Sequence, residues 1–212
     1  MNELTDRRRE EKDRRRNEIL DAAAAAAADG GFDAITMDHV ARRARLSRAL
    51  LYVYFEDKTA LYVALCERAL ELLNERFVTA IQGVANGRER LAIMGRAYVA
   101  FAREEPVYFE VLAHFEARNT QDLEEHMPRC LELGDRCHNL ITTAIRDGIA
   151  DGSIRGDVGL TDAVGVVLWG FMHGVIQIAV TKAGLLEHRN TNAEQLYDQA
   201  LALVLHGLGP AA

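Results

Sequence analysis

Arg48 follows directly on Ser47 in the segment Thr36 to Lys58, TMDHVARRARLSRALLYVYFEDK. A guanidinium is planar and presents its donors as a fork, which matches the O6 and N7 acceptors of guanine together; a good pair discriminates by roughly 1–3 kcal/mol. The hydroxyls of Thr36, Tyr52 and Tyr54 and the ammonium of Lys58 suit phosphate oxygens, which set register without reading sequence. For any one of these residues the alternative is a solvated polar side chain on an ordinary helical pair. The set, at this spacing, points to duplex DNA.

The elements that must position these groups are two short helices. Thr36 is placed to cap the first, with Met37, Val40, Ala41 and Ala44 as its apolar contacts and Arg42 and Arg43 outward. Ser47 is placed to cap the second, which turns Leu50, Leu51 and Phe55 toward a core and distributes Arg48, Ala49, Tyr52, Val53 and Tyr54 around its exposed sides. Two such helices and a turn of about three residues make a helix-turn-helix, whose second helix fits the major groove.

The run from Ile19 to Leu65, with Gly31-Phe32, ITMDHVA from Ile35, LSRALLYVYF from Leu46 and the DKTAL that follows, closely resembles the TetR-type transcriptional regulators. The resemblance covers the first quarter of the chain by motif and the rest by helical layout. It implies DNA-facing positions at Thr36, Met37, Asp38, Arg48, Ala49, Leu50, Tyr52, Val53, Tyr54 and Lys58. Asp38 would accept from a cytosine amine or hold Arg48 in place. Two departures stand out. The family's usual glycine in the interhelical turn is here Arg45, which costs about 1 kcal/mol in a left-handed backbone and would offset that by touching a phosphate. The first helix carries alanines from Ala22 to Ala28 in place of larger apolar residues, which implies close packing and strong helicity.

Composition sets the frame. At 212 residues and 49% hydrophobic, with three prolines, the chain is expected to be all-α, a substantial core with an attached small module and no sheet. The expected division is 1–56, a helix-turn-helix domain with a charged N-terminal arm, and 57–212, a helical effector-binding and dimerisation domain. The net charge of −7 is unevenly distributed. Residues 1–60 carry 12 basic and 12 acidic side chains, and the rest carries 13 against 20. A local positive face on an acidic body suits a protein that must not adhere everywhere on DNA. Arg7 to Arg9, Lys12 and Arg14 to Arg16 read either as a solvated arm or as an arm reaching DNA. No apolar segment follows them, so a secretory signal is not expected. Cys66, Cys130 and Cys137 lack metal-ligand spacing and are expected as buried free thiols in a reducing cytoplasm.

About nine helices are expected, with breaks at Gly30, Asn86, Glu105, Asp151 and Gly184. The helix from Thr161 is apolar from Ala163 to Val180 except for His173 and Gln177. That is long enough for a membrane span, but charged amphipathic neighbours favour a helix with two protein partners. Val167, Phe171, Gly174 and Ile178 share one side and, with Leu196, Ala200, Leu203 and Gly207 of the last helix, would form a four-helix dimer interface. A homodimer would match a pseudo-palindromic operator. Trp169, His173 and Gln177 are expected to face the interior, where Met94, Tyr98, Phe101, Tyr108, Phe109, His114 and Phe115 would complete either a pocket for a largely apolar small-molecule effector or a plain core. A metal site from His114, His138 and His173 is not expected, nor a cofactor. No Gly-rich phosphate loop, G-x-S-x-G or H-E-x-x-H occurs, so the expectation is a repressor rather than an enzyme or a helical carrier.

Overall fold

The computed structural model describes residues 3–116 and 127–210, all-helical with no strand among them. Ten helices are present among these residues: α1 (Glu3–Ala28), α2 (Met37–Arg43), α3 (Arg48–Tyr54), α4 (Lys58–Ala80), α5 (Gly87–Glu104), α6 (Pro106–Glu116), α7 (Pro128–Ala150), α8 (Thr161–Thr181), α9 (Ala183–His188) and α10 (Ala193–Leu208). The sixth helix was expected to run to Ala117, which lies outside the described residues. The short α9 is additional to the expected set and occupies the segment read as a break before Gly184.

The chain forms two compact units, Met1–Ala69 with Glu105–Cys130, and Leu70–Glu104 with Leu131–Ala212. The first is larger than the expected 1–56 domain because α6 packs with the N-terminal helices. Tyr62 donates its hydroxyl to the Val111 carbonyl at 3.0 Å, and Arg68 reaches both Asp21 (2.5 Å) and the Tyr108 hydroxyl (3.3 Å). Burial lowers the pKa of Arg68, but its hydrogen bonds to Tyr108 and Asp21 outweigh this and leave it raised. The alanine run does what small side chains allow: Ala22, Ala23, Ala26 and Ala27 are buried beside Ile19 and Leu20, and α1 packs on α2.

In the second unit, Gly87 lets the start of α5 lie against the end of α7. A Cβ there would stand 2.2 Å from the Gly148 nitrogen and 2.3 Å from the Ala144 carbonyl oxygen. The crossing is fixed by Asp151, which accepts from the Gly87 N–H at 2.9 Å, and α5 is tied to α10 by Arg88, whose Nε donates to the Leu205 carbonyl at 2.9 Å. All three cysteines are buried. Desolvation pushes Cys130 up to about 12 and Cys137 up to about 11, so both stay protonated and weakly nucleophilic at neutral pH.

The turn between α2 and α3 is a Schellman closure. Arg45 N–H donates to the Arg42 carbonyl (3.1 Å) and Leu46 N–H to the Ala41 carbonyl (2.9 Å), and Arg45 takes the left-handed position with φ 56°. The backbone that glycine usually serves is therefore retained with a side chain on it.

These backbones set the stability of three variants. Gly87→Ala should lower unfolding stability by about 1–3 kcal/mol, because the obstructing atoms are backbone. Gly134→Ala, in α7 with open space around it, should raise stability by about 1 kcal/mol. Arg45→Gly should also stabilise, by about 1–2 kcal/mol, through relief of the left-handed strain. Urea titrations of the three variants check the set; an Arg45→Gly midpoint at or below the parent's would show that the turn holds no strain.

Candidate nucleic-acid interface

The two helices of the motif are each held at the N-terminus by a side-chain cap. Thr36 Oγ1 accepts from His39 N–H (3.2 Å) and Ser47 Oγ from Leu50 N–H (3.2 Å), so both capping expectations are met. Asp57 Oδ1 accepts from Ala60 N–H at 2.7 Å and caps the start of α4. Beneath them Val40, Ala41, Leu51 and Phe55 are buried in the unit's core.

Outward, α3 presents Arg48, Ala49, Leu50, Tyr52 and Val53, with Val53 70% exposed. Leu50 corrects one expectation: it is 40% exposed and does not join Leu51 and Phe55 in the core. Its position one residue before Leu51 rotates it by about 100° on the wheel. Met37 corrects another. It is buried, so it supports α2 from beneath and offers no side chain to a groove. Tyr54 is half-buried, and Lys58 is half-buried with its ammonium 5.1 Å from the centre of the Phe32 ring.

Arg48 is the most organised side chain on this face. Its Nε lies 3.2 Å from Asp38 Oδ1, its Nη1 donates to Asp38 Oδ2 at 3.3 Å, and its Nη2 reaches the Tyr52 hydroxyl at 3.5 Å, with the guanidinium over the Tyr52 ring. The Tyr52 hydrogen bond first, and then the Asp38 carboxylate, raise the arginine pKa above its ordinary value. Of the two roles open to Asp38 in the sequence, the geometry displays the one that holds Arg48. The face is exposed, so this contact orients the side chain more than it stabilises the fold.

In the second unit, the exposed side of α8 carries Val166, Val167, Phe171 and Ile178, with Val167 66% exposed. Leu203 of α10 is 58% exposed, and Gly170, Gly174 and Gly207 have open space where a Cβ would stand. Leu196 is half-buried. Ala200, expected at an interface, is instead buried within the chain, so α10 turns that position inward. By length and hydropathy α8 could cross a membrane. Its interior side is Gly165, Met172, Ile176 and Ala179, with Gly165 meeting His138 and Thr142.

That phase corrects the expectation for Trp169, which is 36% exposed rather than interior. Gln177 and His173 are half-buried. His173 Nδ1 is 2.7 Å from the Tyr98 hydroxyl, and the Trp169 and His173 ring centres are 6.3 Å apart. Burial lowers the His173 pKa, which favours neutral imidazole. Met94, Tyr98 and Phe101 are buried in the same unit, with Tyr98 stacked on Phe101. Tyr108, Phe109 and Phe115 are buried in the first unit, while His114 is exposed there. A groove of about 410 Å³ in the second unit, lined by Leu72, Glu75, Arg76, Thr79, Ala97 and Ala100, uses none of the residues expected in a pocket. Sequence reading missed it because its walls are mainly small or charged residues. Among the described residues no cluster of His, Cys, Asp and Glu could hold a metal ion.

Residues 19–65 match the family model described as bacterial regulatory proteins, tetR family, and residues 91–204 match that of the tetracyclin repressor-like C-terminal domain. The chain is 33% identical over 73 residues to the HTH-type transcriptional activator FasR of Mycolicibacterium smegmatis, a match spanning 34% of this chain and 33% of that protein. A solved structure of a protein of unknown function from Rhodococcus sp. RHA1 superimposes with a TM-score of 0.77 at 22% identity, covering 92% of this chain and 95% of that one. The transcriptional regulator FadR from Bacillus subtilis in complex with stearoyl-CoA gives 0.73 at 18% identity, covering 90% and 98%. The ketosteroid transcriptional regulator KstR2 of Mycobacterium tuberculosis gives 0.68 at 24% identity, covering 93% and 96%. With the second family model alone spanning more than half of the sequence, the chain belongs to the tetR family of bacterial regulatory proteins.

Proposed function

We propose that this regulator binds a pseudo-palindromic DNA operator as a homodimer and represses transcription until a small, largely apolar effector releases it. The observation that carries the reading is the exposed Arg48 fork, held by Asp38 and Tyr52 on a helix capped at Ser47. Arg48 reads a guanine, Thr36, Tyr52, Tyr54 and Lys58 meet phosphates, and Ala49, Leu50 and Val53 line the groove contact. Arg45, projecting from the turn, adds a phosphate contact.

The homodimer rests on the apolar side of α8 and α10. Val167, Phe171, Ile178 and Leu203, with open glycines beside them, need cover, and a second copy offers the same surface to itself. An effector is supported by the aromatic cluster of Tyr98, Phe101, Trp169 and His173, whose Tyr98 and His173 supply polar tips, with Met94 and Gln177 in the same unit. Two structures of like fold are named for a stearoyl-CoA complex and for ketosteroid regulation, which suits apolar chemistry. The helix α4 contributes residues to both units, so a tilt of α4 on effector binding would alter the separation of two reading heads. Moving the population from 1:99 to 99:1 requires the effector to favour the released form by about 5.5 kcal/mol. A cytoplasmic location follows from DNA as the partner and is consistent with three buried cysteine thiols.

On operator duplex selected from a random pool, Arg48→Ala should lose roughly 10- to 100-fold in affinity and its preference at one base pair. Asp38→Asn should relax the same preference while leaving non-specific binding equal or tighter, since a negative charge is removed. Anisotropy titrations decide this; unchanged preference in both variants would refute the assignment of Arg48. Phe171→Glu should sediment as a monomer with parental helicity, and a variant that stays dimeric places the interface elsewhere.

A further inference from the structure

The family match begins at residue 19, but α1 begins at Glu3, so more than half of this helix lies ahead of the conserved motif region. At 3.6 residues per turn, Ile19, Ala23 and Ala26 define the side of α1 that packs into the first unit. Followed back toward the N-terminus, that same side carries Arg16, Arg15, Lys12, Arg9 and Arg8. The acids Asp6, Glu10, Glu11, Asp13 and Glu18 fall on the other side, together with Arg7 and Arg14. Arg14 pairs there with Glu11 at 2.8 Å and Glu18 at 3.9 Å. A merely solvated charged helix gains most from opposite charges mixed around its whole circumference. Here the signs are segregated.

The stripe leads to the C-terminal end of α3. Its innermost member, Arg16, sits 5.4 Å over the ring of Phe55, the residue that ends α3, and 3.7 Å from Glu67. Arg15 is held by Glu18 at 2.6 Å. Arg8, Arg9 and Lys12 are exposed and have no anionic partner among the described residues. They extend the line from Arg16 by about 12 Å of helix rise, a length that faces several phosphates on duplex DNA.

We infer that Arg8, Arg9 and Lys12 form a second DNA-contact surface, seated on phosphates that flank the bases read through Arg48. The inference rests on the DNA-binding reading above. The occupant is a polyanion because the stripe offers point charges and no apolar area, and the duplex is the polyanion that α3 already brings alongside. Because the contact is to phosphates, it strengthens binding without changing sequence preference.

The test compares two double variants of the full chain with equal total charge. Arg8→Gln with Lys12→Gln removes two of the three proposed contacts; Arg7→Gln with Arg14→Gln removes the same charge from the acidic side. Glutamine keeps helix propensity, and circular dichroism verifies helicity. Anisotropy on the selected operator is measured across a potassium chloride series. The stripe variant should show a slope of log affinity against log salt shallower by about 2–4, from two contacts in each of two protomers, and an affinity loss of 10-fold or more near 0.1 M salt. The acidic-side variant should match the parent, and both should keep the parental base preference. Exchange of Arg8→Lys with Lys12→Arg should restore the slope. Equal slopes for the two doubles overturn the stripe while leaving the reading head intact. A parent chain that binds no duplex at all overturns the regulator function on which the stripe depends.

Discussion

The reading helix is aimed by one backbone hydrogen bond, from the Leu46 N–H to the Ala41 carbonyl at 2.9 Å. That bond closes the end of α2 over a left-handed Arg45 and delivers Ser47 to the capping position of α3. With Ser47 fixed, Leu51 and Phe55 have only one direction in which to be buried, and Arg48 and Tyr52, one turn apart, are left exposed at the edge of that buried side. The turn thus converts core packing into side-chain aim. An arginine at the strained position keeps this geometry at a modest cost in stability and places a fifth cation beside Arg42, Arg43, Arg48 and Lys58.

Much of this was legible because it is local. Caps at Thr36 and Ser47, the left-handed turn and the burial of Leu51 and Phe55 all depend on residues within a few positions of one another, and the sequence pattern states them directly. What the pattern could not state depends on distant partners. The membership of α6 in the first unit turns on Tyr62 meeting Val111 and Arg68 meeting Tyr108, pairs separated by 49 and 40 residues. The phase of α8 was equally hidden. A helix apolar on all sides carries no moment to show which side is interior, and only Gly165, packed against His138 and Thr142, reveals it. Trp169 was misplaced for that reason, standing outward of its expected position, while Ala200 of α10 is turned inward. At Leu50 the error was smaller in kind: two adjacent leucines cannot both face a narrow core, and the sequence does not say which one yields.

The second unit separates packing from unpartnered surface with its glycines. Gly87, Gly148 and Gly165 each meet neighbouring atoms closely enough that a Cβ would collide, so they fix helix crossings inside the chain. Gly170, Gly174 and Gly207 meet nothing within 4 Å and stand among exposed Val167, Phe171 and Leu203. Glycine in a helix interior costs about 1 kcal/mol relative to alanine, and nothing within the single chain offsets that cost at these three positions. Close approach by a second helix would, which is why the open glycines and the exposed apolar side chains together support the proposed dimer.

Charge placement resolves the apparent conflict between a net charge of −7 and a polyanionic partner. The excess acid lies beyond residue 60, where 20 carboxylates face 13 basic residues, whereas the first 60 residues are balanced. Balance alone would give a weak field, but within α1 the signs are separated across the helix, and around α2 and α3 Asp29 pairs with Arg43 and Asp38 with Arg48 in a segment that also carries Arg42 and Arg45. Screening at physiological salt acts over about 8 Å, so a phosphate docked on α3 senses the arginines of α2 and α3 strongly and charges beyond that range weakly. An acidic body then repels duplex that approaches in other orientations, and affinity concentrates where Arg48 is already aimed. Under that arrangement Asp38 has a cost that only specificity can offset: it neutralises a cation on the binding face, yet it holds the guanidinium in one orientation, and discrimination between bases depends on orientation more than on charge.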